Sequence, residues 1–220
     1  MIKLEIAAFS LEGALLANKH KVHRIEFCEN FLEGGITPSY GQLKLAREKI
    51  NTQLFAMIRP RGGDFLYSNS EFESMLSDIE ICKQLKYDGI VVGCLNKNGD
   101  IEINLLKQIV ALAKPMEITF HRAFDRVNNP YKSLEKIIKI GCNRVLTSGL
   151  QSNAISGLAL LKELIKLANN SISIMPGVGV VSKNIKYIIE ETGASEIHSS
   201  AKKQFPSLMD FTNNNIIEKN

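Results

Sequence analysis

No two cysteines stand in a C-x-x-C pair, although the chain has four, at Cys28, Cys82, Cys94 and Cys142. That spacing offers no disulfide framework, and the thiols are read as reduced. No apolar run reaches the roughly 18 residues that a membrane-crossing helix needs. The opening stretch MIKLEIAAFS carries Glu5 inside it, unlike the apolar part of a secretory signal. These absences set the expectation of a cytoplasmic protein without a membrane partner. A strong excess of one charge is missing too, since the formal net charge is +4. Lysines such as Lys44, Lys49, Lys83, Lys86 and Lys107 are spread over predicted helix faces. They do not gather into a stripe with aromatics, so no nucleic-acid partner is expected.

What is present is a regular alternation. The chain has 220 residues, 45% of them hydrophobic and 23% charged, ordinary values for a globular domain with a real core. Eight short apolar runs, at 4–8, 24–28, 53–58, 89–93, 117–120, 144–147, 171–175 and 196–198, are predicted strands. They are rich in Ile, Val and Phe, as strands buried on both faces should be. Amphipathic stretches lie between them. Residues 71–85 place Phe72, Met75, Leu76, Ile79 and Leu85 near a helical period, and 158–168 repeat the pattern. Ser70 and Ser182 are read as helix N-caps. Strand–helix alternation of this kind builds right-handed units on a parallel sheet. Eight repeats favour closure, because open doubly wound sheets usually stop at five or six strands. The fold class is therefore α/β, a single TIM-like (β/α)8 barrel over residues 1–202. Residues 203–220 are read as a tail with a short or degenerate last helix.

In such a barrel the ligand site is built at the carboxyl ends of the strands. The unusual polar residues of this chain fall there. Strand two ends in Glu26, Phe27 and Cys28; strand three runs into Arg59, Pro60, Arg61 and the Gly62-Gly63 pair. Strand five ends in His121 and Arg122 with Asp125 close behind. Ser148 follows strand six, Gly177 and Gly179 follow strand seven, and His198 belongs to strand eight. Arginine presents a fork suited to carboxylate or phosphate, and glycine lets the backbone approach a ligand. Arg59, Arg61, Ser148, Gly177 and Gly179 are accordingly candidate anion-binding residues, with plain loop bracing as the alternative. His121, Arg122, Asp125 and Glu26 form a candidate catalytic group in which His121 transfers a proton, oriented by Asp125 or Glu26. Glu5 is expected to face into the barrel, or to pair with Arg59 or Arg122. His20 and His23 fall at the opposite end and are read as surface residues. No lysine stands at a predicted strand end, which argues against a Schiff-base aldolase. Ser148-Gly149 lacks the flanking glycine of a hydrolase nucleophile.

Taken together these stretches resemble the copper homeostasis protein CutC family. The resemblance rests on Glu26 to Cys28 with Gly34-Gly35-Ile36-Thr37-Pro38-Ser39, on 57–65 (MIRPRGGDF) and on 119–125 (TFHRAFD). Further matches are 88–93, 146–149 and 176–180, so it spans about residues 3–202. It implies a TIM-like barrel, a cytoplasmic location, a role in copper homeostasis and a homodimer. Val178 interrupts a stretch that is glycine-rich in the family, and His198-Ser199-Ser200 differs slightly from the family's usual form.

Copper and the residue chemistry pull in different directions. Cytosolic copper is Cu(I), which prefers thiolate and thioether ligands. Cys28 and Cys94, ending strands two and four, are the candidate copper ligands, with Met57, Met175 or His198 in support. Cys82 and Cys142 are read as structural thiols. The strand ends otherwise offer hard groups that suit a small anionic metabolite, phosphorylated or not. Three readings therefore stand: a Cu(I)-binding homeostasis protein, a barrel enzyme of unassigned reaction, and an interaction scaffold whose rim is structural.

Overall fold

The computed structural model describes residues 2–203 together with 208–211, 213 and 215. Strands and helices alternate without exception: β1 (Lys3–Ala8), α1 (Leu11–Lys19), β2 (Arg24–Phe27), α2 (Tyr40–Lys49), β3 (Gln53–Met57), α3 (Asn69–Gln84), β4 (Gly89–Val92) and α4 (Ile103–Ala113). Then come β5 (Glu117–Phe120), α5 (Pro130–Ile140), β6 (Arg144–Thr147), α6 (Leu158–Ala168), β7 (Ser173–Pro176), α7 (Ile185–Thr192) and β8 (Glu196–Ser199). All strands are parallel, in the order β7-β6-β5-β4-β3-β2-β1-β8. The ring is nearly closed. β7 and β8 lie side by side without a hydrogen-bonded ladder among the described residues. This is the expected TIM-like barrel. The expected short last helix falls on residues 203–220, most of which lie outside the described ones.

Strand side chains alternate between two environments, as the period of two requires. Ile25, Phe27, Leu54, Ala56, Val145 and Ile197 pack outward in the main core between strands and helices. Arg24 and Glu26, Phe55 and Met57, Glu196 and His198 hold the opposite parity and are buried. Bulk inside the ring is accommodated by glycine. A Cβ on Gly89 would lie 2.3 Å from the Phe55 ring, and one on Gly93 would lie 2.4 Å from the His121 ring. Those two positions leave no room for a side chain.

Helix starts depart from two expectations. The N-cap of α3 is Ser68, not Ser70. Its hydroxyl accepts from the Glu71 N–H while Glu71 accepts from the Ser68 N–H, a reciprocal capping box. Ser182 caps nothing either. α7 starts at Ile185 after Asn184, whose Oδ1 accepts from the Val181 N–H at 2.8 Å. In both cases the side chain with the right reach, rather than the nearest serine, closes the turn.

Candidate functional site

The interior of the barrel has two polar layers with different chemistry. The lower layer is a chain of ion pairs. Arg24 holds Glu5 through Nε and Glu196 through Nη2, the latter at 2.5 Å. Arg144 reaches the same Glu196 at 3.3 Å and Glu117 at 2.7 Å. Both guanidiniums lie 5.1 Å from the Phe55 ring centre, and Arg24 also meets the Met175 sulfur at 3.3 Å. Glu5 thus pairs with Arg24 and His198, not with Arg59 or Arg122. Arg24, Arg144 and Glu196 had not been singled out. A charged residue at an inward position of an otherwise apolar strand is the signal that marks them.

Above this layer stands His198, held between two carboxylates. Its Nδ1 meets Glu5 Oε1 at 2.7 Å, and its Nε2 lies 3.8 Å from Glu26 Oε2. Burial opposes ionisation of Glu5, but the His198 hydrogen bond and the Arg24 guanidinium outweigh it and hold the carboxyl at about 2. Glu26 goes the other way. Burial raises it to about 7, and the His198 charge offsets this only in part. His198 itself is raised: burial disfavours its cation, while Glu26 and Glu5 favour it more strongly.

The upper layer opens into a cavity of about 940 Å3 at the carboxyl ends of the strands. Glu26, His198, Met57, Arg59, His121 and Gly179 are among the residues that line it. Arg59 is 5% exposed. Its Nη1 donates to the carbonyls of Glu33 (2.6 Å) and Gly35 (3.0 Å), and its Nη2 donates to that of Gly63 (2.9 Å). It therefore braces two loops and has no carboxylate partner among the described residues, with its guanidinium 4.9 Å from the Phe65 ring centre. The His121 ring packs against the same Phe65, with centres 4.9 Å apart and planes tilted by 52°. The backbone N–H of Ala123 donates to His121 Nδ1 at 3.1 Å, which leaves the ring proton on Nε2. Burial and the nearby Arg59 lower His121 to about 3, so the imidazole stays neutral. Three residues that line this cavity each carry a buried side-chain atom without a hydrogen-bond partner among the described residues: Glu26 Oε1, Arg59 Nε and His121 Nε2.

Other expected members sit elsewhere. Asp125 does not orient His121. It accepts from Thr147 Oγ1 (2.5 Å) and from the N–H groups of Ser148 (3.0 Å) and Leu150 (3.2 Å), and it pairs with Arg122 (2.9 Å). Asp125 is a saturated staple between two loops. Arg122 lines the cavity edge in that pairing. Arg61 lies off the cavity, bound to Glu71 (2.5 Å) and Asp64 (3.0 Å), and it secures the loop to the capping box of α3. Ser148 turns its hydroxyl to the Gln151 carbonyl at 2.5 Å. Gly177 serves packing, because a Cβ there would lie 2.5 Å from Leu146. His20 and His23 are exposed, as expected.

The two candidate copper thiols do not converge. Cys28 packs inside the ring with Phe55, Met57 and Val91. Cys94 belongs to the outer core, where its Sγ meets the Glu102 carbonyl at 3.7 Å. Burial first, and the neighbouring Glu26 second, push the Cys28 thiol well up, so it stays protonated. Among the described residues one cluster of possible metal-ligand atoms falls within 4.8 Å, and it is Glu5, Glu26 and His198. Oxygen and imidazole donors of that kind do not fit Cu(I).

Comparison with known proteins decides the family. The CutC family model matches residues 2–203, almost the whole chain. The chain belongs to the CutC family. A CutC family protein of Parabacteroides distasonis is 47% identical over 216 residues, covering 97% of this chain and 88% of the relative. A mouse protein named copper homeostasis protein cutC homolog is 45% identical, covering 97% of this chain and 78% of its own length. A CutC crystal structure from Streptococcus agalactiae superposes with a TM-score of 0.86 at 35% identity, covering 91% of this chain and 99% of that one. The family thus has bacterial and mammalian members, and the copper role enters through the names that some of those relatives carry.

Proposed function

We propose that this CutC protein is a barrel enzyme that moves a proton on a small anionic metabolite held at the rim. One observation carries the reading. Among the described residues Glu26 Oε1, Arg59 Nε and His121 Nε2 are buried without a hydrogen-bond partner, and their three residues line one cavity. Buried polar groups are almost always satisfied in a folded chain, so three exceptions around one space point to a ligand that completes them. Their chemistry is complementary. Glu26, raised to about 7, is poised to take a proton from carbon or oxygen near neutral pH. The neutral His121 offers an Nε2–H to the oxygen where negative charge develops. Arg59 attracts the anion. In the forward step a proton on the carbon beside a carbonyl goes to Glu26, the C–H pair forms a carbon–carbon double bond, and the carbonyl π pair moves onto the oxygen held by His121. Returning the proton to a neighbouring atom completes an isomerisation. Four free, buried cysteines suit a reducing cytoplasm as the place of action.

The test is calorimetric titration of a panel of small carboxylates and phosphorylated metabolites into wild type, His121→Ala and Glu26→Gln. At least one compound binds wild type, and its affinity falls 10-fold or more in both variants while their circular dichroism stays native. If no compound binds, the reading fails.

A second reading keeps Cu(I) as the ligand, supported by the thiol of Cys28 and the thioether of Met57 in one small buried cluster. Binding there displaces the thiol proton. Stoichiometric Cu(I) uptake against a competing chelator, lost in Cys28→Ser, would favour it over the enzyme.

A further inference from the structure

The loop after β7 crosses the cavity wall with a backbone that valine resists. Val178 has φ +74° and Gly179 follows at φ +70°. Glycine adopts that region freely, but a β-branched residue there is a genuine outlier that survives only where the surroundings impose it. The surroundings do so. The Val178 carbonyl accepts from the Ala154 N–H (3.0 Å), that of Gly179 from Asn184 Nδ2 (2.9 Å), and that of Val180 from Ser199 Oγ (2.7 Å).

Three consecutive carbonyls are thus tied to the protein. The three N–H groups of the same residues meet no protein acceptor among the described residues. Val180 is buried, Val178 half-buried and Gly179 exposed, and all three residues line the cavity. Successive free N–H groups in a loop can form a concave anion site, and the buried Val180 N–H costs free energy while it lacks a partner. On the same cavity, Arg59 supplies a positive charge that pairs with no carboxylate among the described residues. The loop therefore has donors and field for an anionic group, and an isopropyl side chain standing at the first donor.

We propose that Val178 sets the size of the anionic group bound by this loop, admitting a planar carboxylate and turning away a tetrahedral phosphate. The proposal rests on the reading of the cavity as a metabolite site and names the class of its substrate, a carboxylate. A carboxylate brings two oxygens in one plane and can meet the donors beside the valine. A phosphate is thicker in every direction and needs the space the side chain fills. The strain at Val178 is retained because the residue that would relieve it also opens the site.

The experiment is calorimetry with malonate and inorganic phosphate on the full chain as wild type, Val178→Ala and Val178→Gly, with thermal melts alongside. Wild type is expected to bind malonate at least 10-fold more tightly than phosphate. Val178→Gly is expected to gain 10-fold or more for phosphate and to melt higher. Val178→Ala keeps a Cβ at positive φ, and it is expected to gain phosphate affinity with little rise in melting temperature, which separates space from strain. Phosphate affinity within twofold of wild type in a folded, more stable Val178→Gly overturns the proposal, as does wild type binding phosphate as well as malonate. If a panel carboxylate binds and depends on His121 while Val178→Gly changes nothing, the enzyme reading stands and this inference alone is lost.

Discussion

The floor and the rim of this barrel use the same side chains to opposite ends. On the floor, Arg24, Arg144, Glu5, Glu117 and Glu196 answer one another, and every guanidinium has a carboxylate. At the rim, among the described residues, the Arg59 guanidinium donates to backbone carbonyls and pairs with no carboxylate, and Glu26 and His121 each leave one atom unanswered. Both layers are buried, so burial alone does not distinguish a brace from a site. Completeness does. A closed ion network gives the ring a fixed interior, whereas an open one at the same depth waits for a partner from outside.

The comparison is broken most forcefully at Arg24. Arg24→Ala would leave Glu5 and Glu196 buried without their counter-ion, and the expected loss is about 3–5 kcal/mol. Chemical denaturation measures it, and a loss under 1 kcal/mol would show that the floor is not the scaffold. Asp125→Ala comes next. It strands the donors of Thr147, Ser148 and Leu150, at an expected cost of about 1–3 kcal/mol, without abolishing ligand binding. Direct dependence of binding on Asp125 in a folded variant would restore it to the catalytic group.

The third prediction concerns pH. Folding raises Glu26 from an ordinary 4.5 to about 7, so the folded state favours the protonated carboxyl. Relative to Glu26→Gln, wild type should lose stability as pH rises from about 4.5 to about 7 and change little above that. Melting both proteins across that window checks it; a wild type that gains stability over Glu26→Gln as pH rises has the wrong sign. The smallest effect belongs to Arg61→Ala. Its pairs with Asp64 and Glu71 are partly exposed, and the expected cost is about 1 kcal/mol or less with ligand affinity unchanged. A 10-fold loss of affinity would bring Arg61 back to the cavity.

The barrel was legible because eight apolar runs at regular spacing leave few ways to bury both faces of every strand. Strand ends proved accurate to a residue or so, although β7 starts at Ser173 rather than Ser171. The level of the site was legible for the same reason, since strand ends in a barrel share one face. Partner choice was not. Parity places Glu5 inside, but only ring closure brings β8 beside β1 and sets His198 against it. Cys28 and Cys94 fail to meet because Cys28 packs inside the ring and Cys94 in the outer core. Arg61 and Asp125 carry the right chemistry at the right height, and only the loop geometry shows that both are already engaged.

The central claim is that the rim holds a neutral imidazole whose N–H awaits a ligand. It is tested most directly by nuclear magnetic resonance of the protein labelled with nitrogen-15 histidine. The account predicts that His121 keeps its Nε2–H, stays neutral from about pH 5 to 8, and shifts when a bound carboxylate saturates the cavity. A midpoint near the ordinary 6.5, or an Nε2–H resonance that ignores a bound ligand, would contradict it.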